Sequence, residues 1–181
     1  MQLDPAIELI LRCAFFALFA TTLAHKAFDF ASFRSTVAAY LRGSPLATAP
    51  IVLVGSIAIM LGEAVVVTAC AAPVDHAVRA GVTSGMLLLY AAAMGVNLLR
   101  GNTLLDCGCN WGSLRQAVGY PLVWRNLLMA LVALAMAIPV STRPLQAIDV
   151  ITVAAGTVLA TLVYAGANRM LASAPQPYGT R

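Results

Sequence analysis

Long apolar runs dominate this 181-residue chain and leave it few ways to fold. A helix needs about 20 apolar residues to cross a hydrocarbon layer ~30 Å thick. Candidate spans of that kind run from about Ile7 to Leu23, Pro50 to Ala72, Val78 to Leu99, Leu122 to Val140 and Ala147 to Ala167. The fourth is the weakest, because Arg125 and Asn126 shorten its clean part. Charged residues make up only 10% of the chain, against about 25% in a typical soluble domain. Too few charges remain to coat a water-facing surface, so lipid is the expected solvent. The expected architecture is all-α, a polytopic transmembrane helical bundle of four to five spans. One transmembrane domain is expected over 1–171, and Pro175, Pro177 and Gly179 mark 172–181 as a disordered tail.

The N-terminal stretch does not read as a cleavable leader. Asp4 and Glu8 stand where a basic segment would be needed, Arg12 interrupts the apolar run, and no small-x-small site follows before His25-Lys26. The first span is therefore expected to stay as an anchor. Between the first two spans, His25 to Ala49 mixes Phe28, Phe30 and Phe33 with Lys26, Asp29, Arg34 and Arg42. Such mixing suits an amphipathic segment in the membrane interface, and equally a polar loop with a short helix. The net charge of +4 comes from scattered basic residues, which gives nucleic-acid binding no support. With five spans, Lys26, Arg34, Arg42, Arg100, Arg115, Arg125, Arg169 and Arg181 share one face, eight of the 11 basic residues. Cytoplasmic loops are enriched in Lys and Arg, so this count places that face in the cytoplasm.

Chemistry concentrates in the connection after the third span, at Asp106-Cys107-Gly108-Cys109. Two thiols one residue apart can close a small, strained ring, and strained disulfides are the more oxidising and labile ones. Gly108 gives the backbone the freedom such a ring demands, and Arg100 and Arg115 would favour the reactive thiolate. Zinc is a rival use, although it wants four ligands and the loop supplies two thiols and no histidine. Two inert loop cysteines are the plain alternative. No metal site is expected. Cys13 and Cys70 sit apart, in the first and second spans; they read first as packing residues and second as another thiol pair in an electron relay.

Glu63 lies near the middle of the second span, where a charge costs at least ~2.5 kcal/mol and is usually paired or functional. Arg12 on the first span is the expected partner, with a proton-handling role for Glu63 as the second reading. Asn97, followed by Arg100 and Gly101, is expected to cap the third span and orient the cysteine loop. His25 reads as an interfacial residue, and His76 has no partner that the sequence identifies. Trp111, Tyr120 and Trp124 suit the membrane interface.

Taken in order, these residues resemble the MauE family of methylamine utilisation proteins, itself related more distantly to DoxX-like membrane proteins. The likeness rests on His25-Lys26, Asp29, Phe33, Tyr40, Glu63, Asn97-Leu98-Leu99-Arg100-Gly101, Asp106-Cys107-Gly108-Cys109 and Arg125-Asn126. It covers about residues 7 to 140. Relatives commonly follow the second cysteine with Phe-Gly, where this chain has Asn110-Trp111-Gly112. The resemblance implies a multi-pass protein of the bacterial inner (plasma) membrane. It further implies a part in maturing the methylamine dehydrogenase small (beta) subunit, a periplasmic, disulfide-rich protein with a tryptophan-derived quinone, by processing, transport or disulfide formation. A thioredoxin-like protein, MauD, is the implied partner. Cys107 and Cys109 would then be a redox pair supported by Asp106, Gly108, Arg100, Glu63 and Arg12. A membrane quinone would suit that reading as electron acceptor, but the chain carries no motif for one. The alternatives are a scaffold or export component for the same client, and a small-solute transporter using Glu63. A periplasmic client is served most simply by a periplasmic cysteine loop, against the direction of the charge count.

Overall fold

The protein is described by a computed structural model covering residues 2–102 and 119–173. The Asp106–Cys109 motif and residues 174–181 of the expected tail lie outside the described residues. Six α-helices occur among the described residues: α1 (Pro5–Phe28), α2 (Phe30–Tyr40), α3 (Ala49–Ala71), α4 (His76–Leu99), α5 (Tyr120–Leu134) and α6 (Ala147–Ser173). A 3-10 turn, Ala135–Ala137, prolongs α5. Five of these helices are long and apolar enough to cross a membrane: α1, α3, α4, Tyr120–Ala137 and α6. Among the described residues there is no strand, only one bridge between Leu3 and Val140.

Local chemistry sets the helix starts. Asp4 caps α1 by accepting from the Ala6 amide at 2.8 Å, with Pro5 as the first helical residue. Asp75 accepts from Ala77 and Val78 at the head of α4. Prolines near the first turns of α3 and α5 lack an N–H that would have gone unpaired there. In lipid every backbone group must be satisfied inside the protein, which explains how α3 ends. Its last carbonyls face two arginines from neighbouring helices. Arg79 Nε donates to Ala69 O, Arg12 Nε and Nη2 donate to Cys70 O, each at 3.0 Å, and Arg12 Nη2 reaches Ala71 O at 3.4 Å. Both guanidiniums also complement the negative end of the helix dipole. Glu8 balances them, accepting from Arg79 Nη1 at 2.6 Å with Arg12 Nε at 3.8 Å.

Packing does not simply follow the chain order. α4 lies most extensively against α5, and α1 against α3 and α6. The central core joins Phe15 and Phe19 of α1, Val66 and Cys70 of α3, Leu87 of α4, and Ala133 and Met136 near the end of α5. Side chains such as Leu61, Val65, Leu131 and Val163 are exposed, as lipid-facing positions should be. α6 is the most peripheral helix and meets α1 where Gly156 leaves room for Ile10; a Cβ at 156 would lie 2.6 Å from Ile10 Cδ1. The segment between the first two spans forms α2, whose Phe33 and Val37 pack with Val52 of α3.

The face carrying the N-terminus is closed by Arg143, which donates to Asp4 and to Asp149 at 3.0 and 2.8 Å. That pairing draws the start of α1 to the start of α6, beside backbone bonds from Leu3 N to Pro139 O and Ser141 N to Leu3 O, both 2.9 Å. The Arg143 guanidinium holds the Asp4 carboxyl below the ordinary 3.8 of an aspartate. A depressed carboxylate contributes stability that is complete above its unfolded value and lost as pH falls through the folded one. The melting temperature of wild type in detergent should therefore exceed that of Arg143→Gln at neutral pH by a small margin. That margin should shrink as the pH is taken below the ordinary aspartate value and the depressed acids protonate; a margin unchanged in acid would exclude the ionic latch.

Candidate functional site

Lipid makes an isolated buried charge costly, so each buried ionic group must carry its partners. The most enclosed ionic centre among the described residues joins α1, α3 and α4. Lys26 of α1 and Glu63 of α3 are 1% and 0% exposed. Lys26 Nζ lies 2.5 Å from Glu63 Oε1 and donates to Tyr90 Oη of α4 at 2.9 Å. Tyr90 Oη donates to the same carboxylate oxygen at 2.6 Å, and Thr22 Oγ1 does so at 3.0 Å. Glu63 Oε2 is buried without a hydrogen-bond partner. Lys26 Nζ also sits 5.0 Å from the ring centroids of Phe33 and Tyr90, close enough for cation–π attraction. Phe33 belongs to α2, so this short helix lids the ion pair.

Glu63 is therefore paired, but with Lys26 rather than the expected Arg12. Two geometric facts account for the exchange. α1 and α3 run antiparallel, with Thr22 reaching Glu63 and Arg12 reaching Cys70 near the end of α3. Helical side chains also lean toward their own N-terminus, which turns Lys26 back from the end of α1 onto the level of Glu63. Arg12 lies ~21 Å from Lys26 along the helix and is taken up by the α3 carbonyls and Glu8. Tyr90, Thr22, Glu8 and Arg79 were not legible as partners. The available signal was sign: Lys26 is a basic residue near the end of the span preceding Glu63.

The cysteine loop is approached from both sides by ordered helix ends. α4 closes in a Schellman motif: Gly101 N–H donates to Leu98 O at 3.0 Å and Asn102 N–H to Asn97 O at 2.9 Å. Gly101 takes φ +77, a left-handed conformation that glycine adopts at no steric cost. The Asn97 side chain accepts from Asn102 Nδ2 at 3.2 Å, so Asn97 does anchor the start of the loop. Arg100 is the exposed C-cap residue. Gly119 opens α5 on the far side. There Arg125 donates to Asn168 of α6 and stacks 5.4 Å from the Tyr164 ring, while the buried Asn126 turns back onto Leu122 O; both polar residues are thereby absorbed within a span. Asp106, Cys107, Gly108 and Cys109 themselves lie outside the described residues. Cys13 and Cys70 are free thiols, the first exposed on α1 and the second buried in the core. His76 stands 3.9 Å from Glu8. No group of three metal-ligating side chains occurs among the described residues.

Removing one partner of a buried pair leaves an uncompensated charge, a loss of about 3–5 kcal/mol. Glu63→Gln and Lys26→Met should each lower the unfolding midpoint in detergent strongly. The double variant should be less destabilised than either single one. Arg12→Met should not rescue Glu63→Gln; rescue would transfer the pairing back to Arg12.

Comparison with known proteins supplies the family. Residues 4–139, about three quarters of the chain, match the family described as methylamine utilisation protein MauE. The chain is 30% identical to the methylamine utilization protein MauE of Paracoccus versutus over 163 residues, covering 89% of this chain and 86% of that protein. It is 46% identical to the Paracoccus denitrificans protein of the same name over 72 residues, covering 40% of this chain and 36% of the relative. A third relative of that name, from Methylorubrum extorquens, is 36% identical over 52 residues, 29% of this chain and 28% of that protein. No solved structure matches. The chain therefore belongs to the MauE family of methylamine utilisation proteins.

Proposed function

We propose that this protein is a membrane thiol–disulfide exchange factor that helps mature the methylamine dehydrogenase small subunit. The observation that carries the reading is the framing of the Cys-Gly-Cys segment by two fixed helix ends. The Schellman closure at Gly101–Asn102 precedes it and the start of α5 at Gly119 follows it. The segment that carries Cys107 and Cys109 joins two spans, so in this reading the pair meets its partners at a membrane surface, where thiolate chemistry has access to them. Membership of a methylamine utilisation family supplies the system, and a disulfide-rich client needs a thiol-exchange partner.

The reaction balances without a resident cofactor. A client thiolate attacks one sulfur of the Cys107–Cys109 disulfide, forming a mixed disulfide and releasing the other cysteine as thiolate. The client's second thiolate then attacks the client sulfur of that mixed bond, leaving an oxidised client and a reduced pair. Two electrons and two protons have moved to the protein. In the return half, one cysteine of the pair attacks the disulfide of a thioredoxin-like partner, MauD in our reading, and the other resolves the intermediate. The partner leaves reduced and the Cys107–Cys109 bond is restored.

Replacing both cysteines with serine tests the chemistry against a scaffold role. Cys107→Ser/Cys109→Ser should abolish methylamine-dependent growth and lower the amount of small subunit, while the variant reaches the membrane at wild-type level. Wild-type growth would favour a scaffold or export component.

Sidedness supplies a second test, since five spans keep α2 and the cysteine loop on one face with most of the basic residues. Direct exchange with a periplasmic client predicts that a membrane-impermeant maleimide labels Cys107 and Cys109 in intact spheroplasts, after reduction only, in a Cys13→Ala/Cys70→Ala background. Labelling that requires broken membranes would overturn direct exchange and support the cytoplasmic placement given by the charge count.

A further inference from the structure

The buried face of α2 is accounted for by Phe33 and Val37, which meet α3 and the Lys26–Glu63 pair. Its other face is not. There α2 and the approach to α3 leave a half-open groove of about 450 Å³, walled by Phe30, Ala38, Ala47 and Val52 and bordered by Arg34 and Ser35. The walls offer apolar atoms almost throughout. The Ser35 hydroxyl is turned onto Ser32 O at 2.7 Å, which leaves the exposed Arg34 guanidinium as the charged group at the rim. Small side chains at 38 and 47 make the groove, since a larger residue at either position would fill it.

We propose that this groove binds one acyl chain of an anionic phospholipid, whose phosphate pairs with Arg34. Three observations converge on that occupant. The groove lies on α2 beside the first turn of α3, a helix long and apolar enough to span a membrane. Its walls are mostly apolar and the groove is about half open, so a flexible apolar chain can be seated in it. Its one charge is a cation, and a guanidinium offers paired donors to a phosphate. The lipid acts as a structural ligand. By packing against the outer side of α2 it keeps Phe33 pressed over Lys26, so a bound lipid and the buried ion pair hold the same short helix from opposite sides.

The test uses the full chain, reconstituted into vesicles of equal parts phosphatidylglycerol and phosphatidylcholine, then extracted gently and examined by native mass spectrometry. A retained phosphatidylglycerol should outnumber phosphatidylcholine about fivefold, the factor that one basic residue contributes near an anionic headgroup. Arg34→Gln should bring the ratio close to one, whereas Arg169→Gln, the same charge change on the same face but on α6, should leave it in place. Ala47→Phe, which fills the groove, should remove the tightly held lipid whatever its headgroup. Equal retention of the two lipids by wild type would overturn the proposal. So would identical behaviour of the Arg34 and Arg169 variants, or undiminished retention by Ala47→Phe.

Discussion

A carboxylate enclosed among apolar side chains must find a cation within reach, and Glu63 finds Lys26. The consequences spread through the bundle. The pair fixes the register of α1 against α3, because Thr22 and Lys26, one helical turn apart, both address one carboxylate oxygen. It recruits α4, because Tyr90 donates to that oxygen and accepts from Lys26. It recruits α2, because the ammonium is covered by the Phe33 ring. Three donors converge on Oε1 while Oε2 has none, so the carboxylate is gripped from one side. The desolvation of a buried pair offsets much of its attraction, whereas removing one partner leaves the other charge uncompensated.

The opposite end of α3 shows the same constraint in backbone form. A helix end in a low-dielectric medium leaves carbonyls that water would otherwise satisfy. Arg12 and Arg79 take them, and Glu8 neutralises the arginines. α1 therefore holds α3 at two heights, by a side-chain pair in the interior and by guanidinium–carbonyl contacts near the surface. α6 is attached differently. It is held by the close approach at Gly156, by Arg143 at one end and by Arg125 at the other.

The fold was largely readable from composition and run length. Apolar runs of bilayer length translate directly into spans, and all five candidate windows correspond to observed helices, with Arg125 and Asn126 accommodated inside the fourth span. The amphipathic character of 25–49 was visible too, but its destination was not: Phe33 could be read as an interfacial aromatic, whereas it lids Lys26. Pairing was less legible than spanning. Glu63 stood out because a mid-span acid demands a partner, yet hydropathy gives depth only coarsely and gives no rotation. Arg12 was read inside the first span and Lys26 in the connection after it, but α1 continues to Phe28 and its side chains lean back toward its start, which brings Lys26 to Glu63. Asn97 was legible because a Schellman closure has a local signature, Gly101 at the left-handed position. Cys107 and Cys109 rest on sequence and family alone.

The separation of partners along the chain also bears on how this protein enters a membrane. Lys26 meets Glu63 37 residues later and Tyr90 64 residues later, and Glu8 meets Arg79 71 residues later. When α1 leaves the ribosome, none of those partners has been made. A first helix carrying Glu8, Arg12 and Lys26 is a poor solitary resident of lipid, with only the Glu8–Arg12 contact available within itself. Its ionic groups are neutralised only after α3 and α4 arrive. Assembly of this bundle is therefore coupled: the ionic groups of α1 are complete only once the α3–α4 hairpin stands beside it.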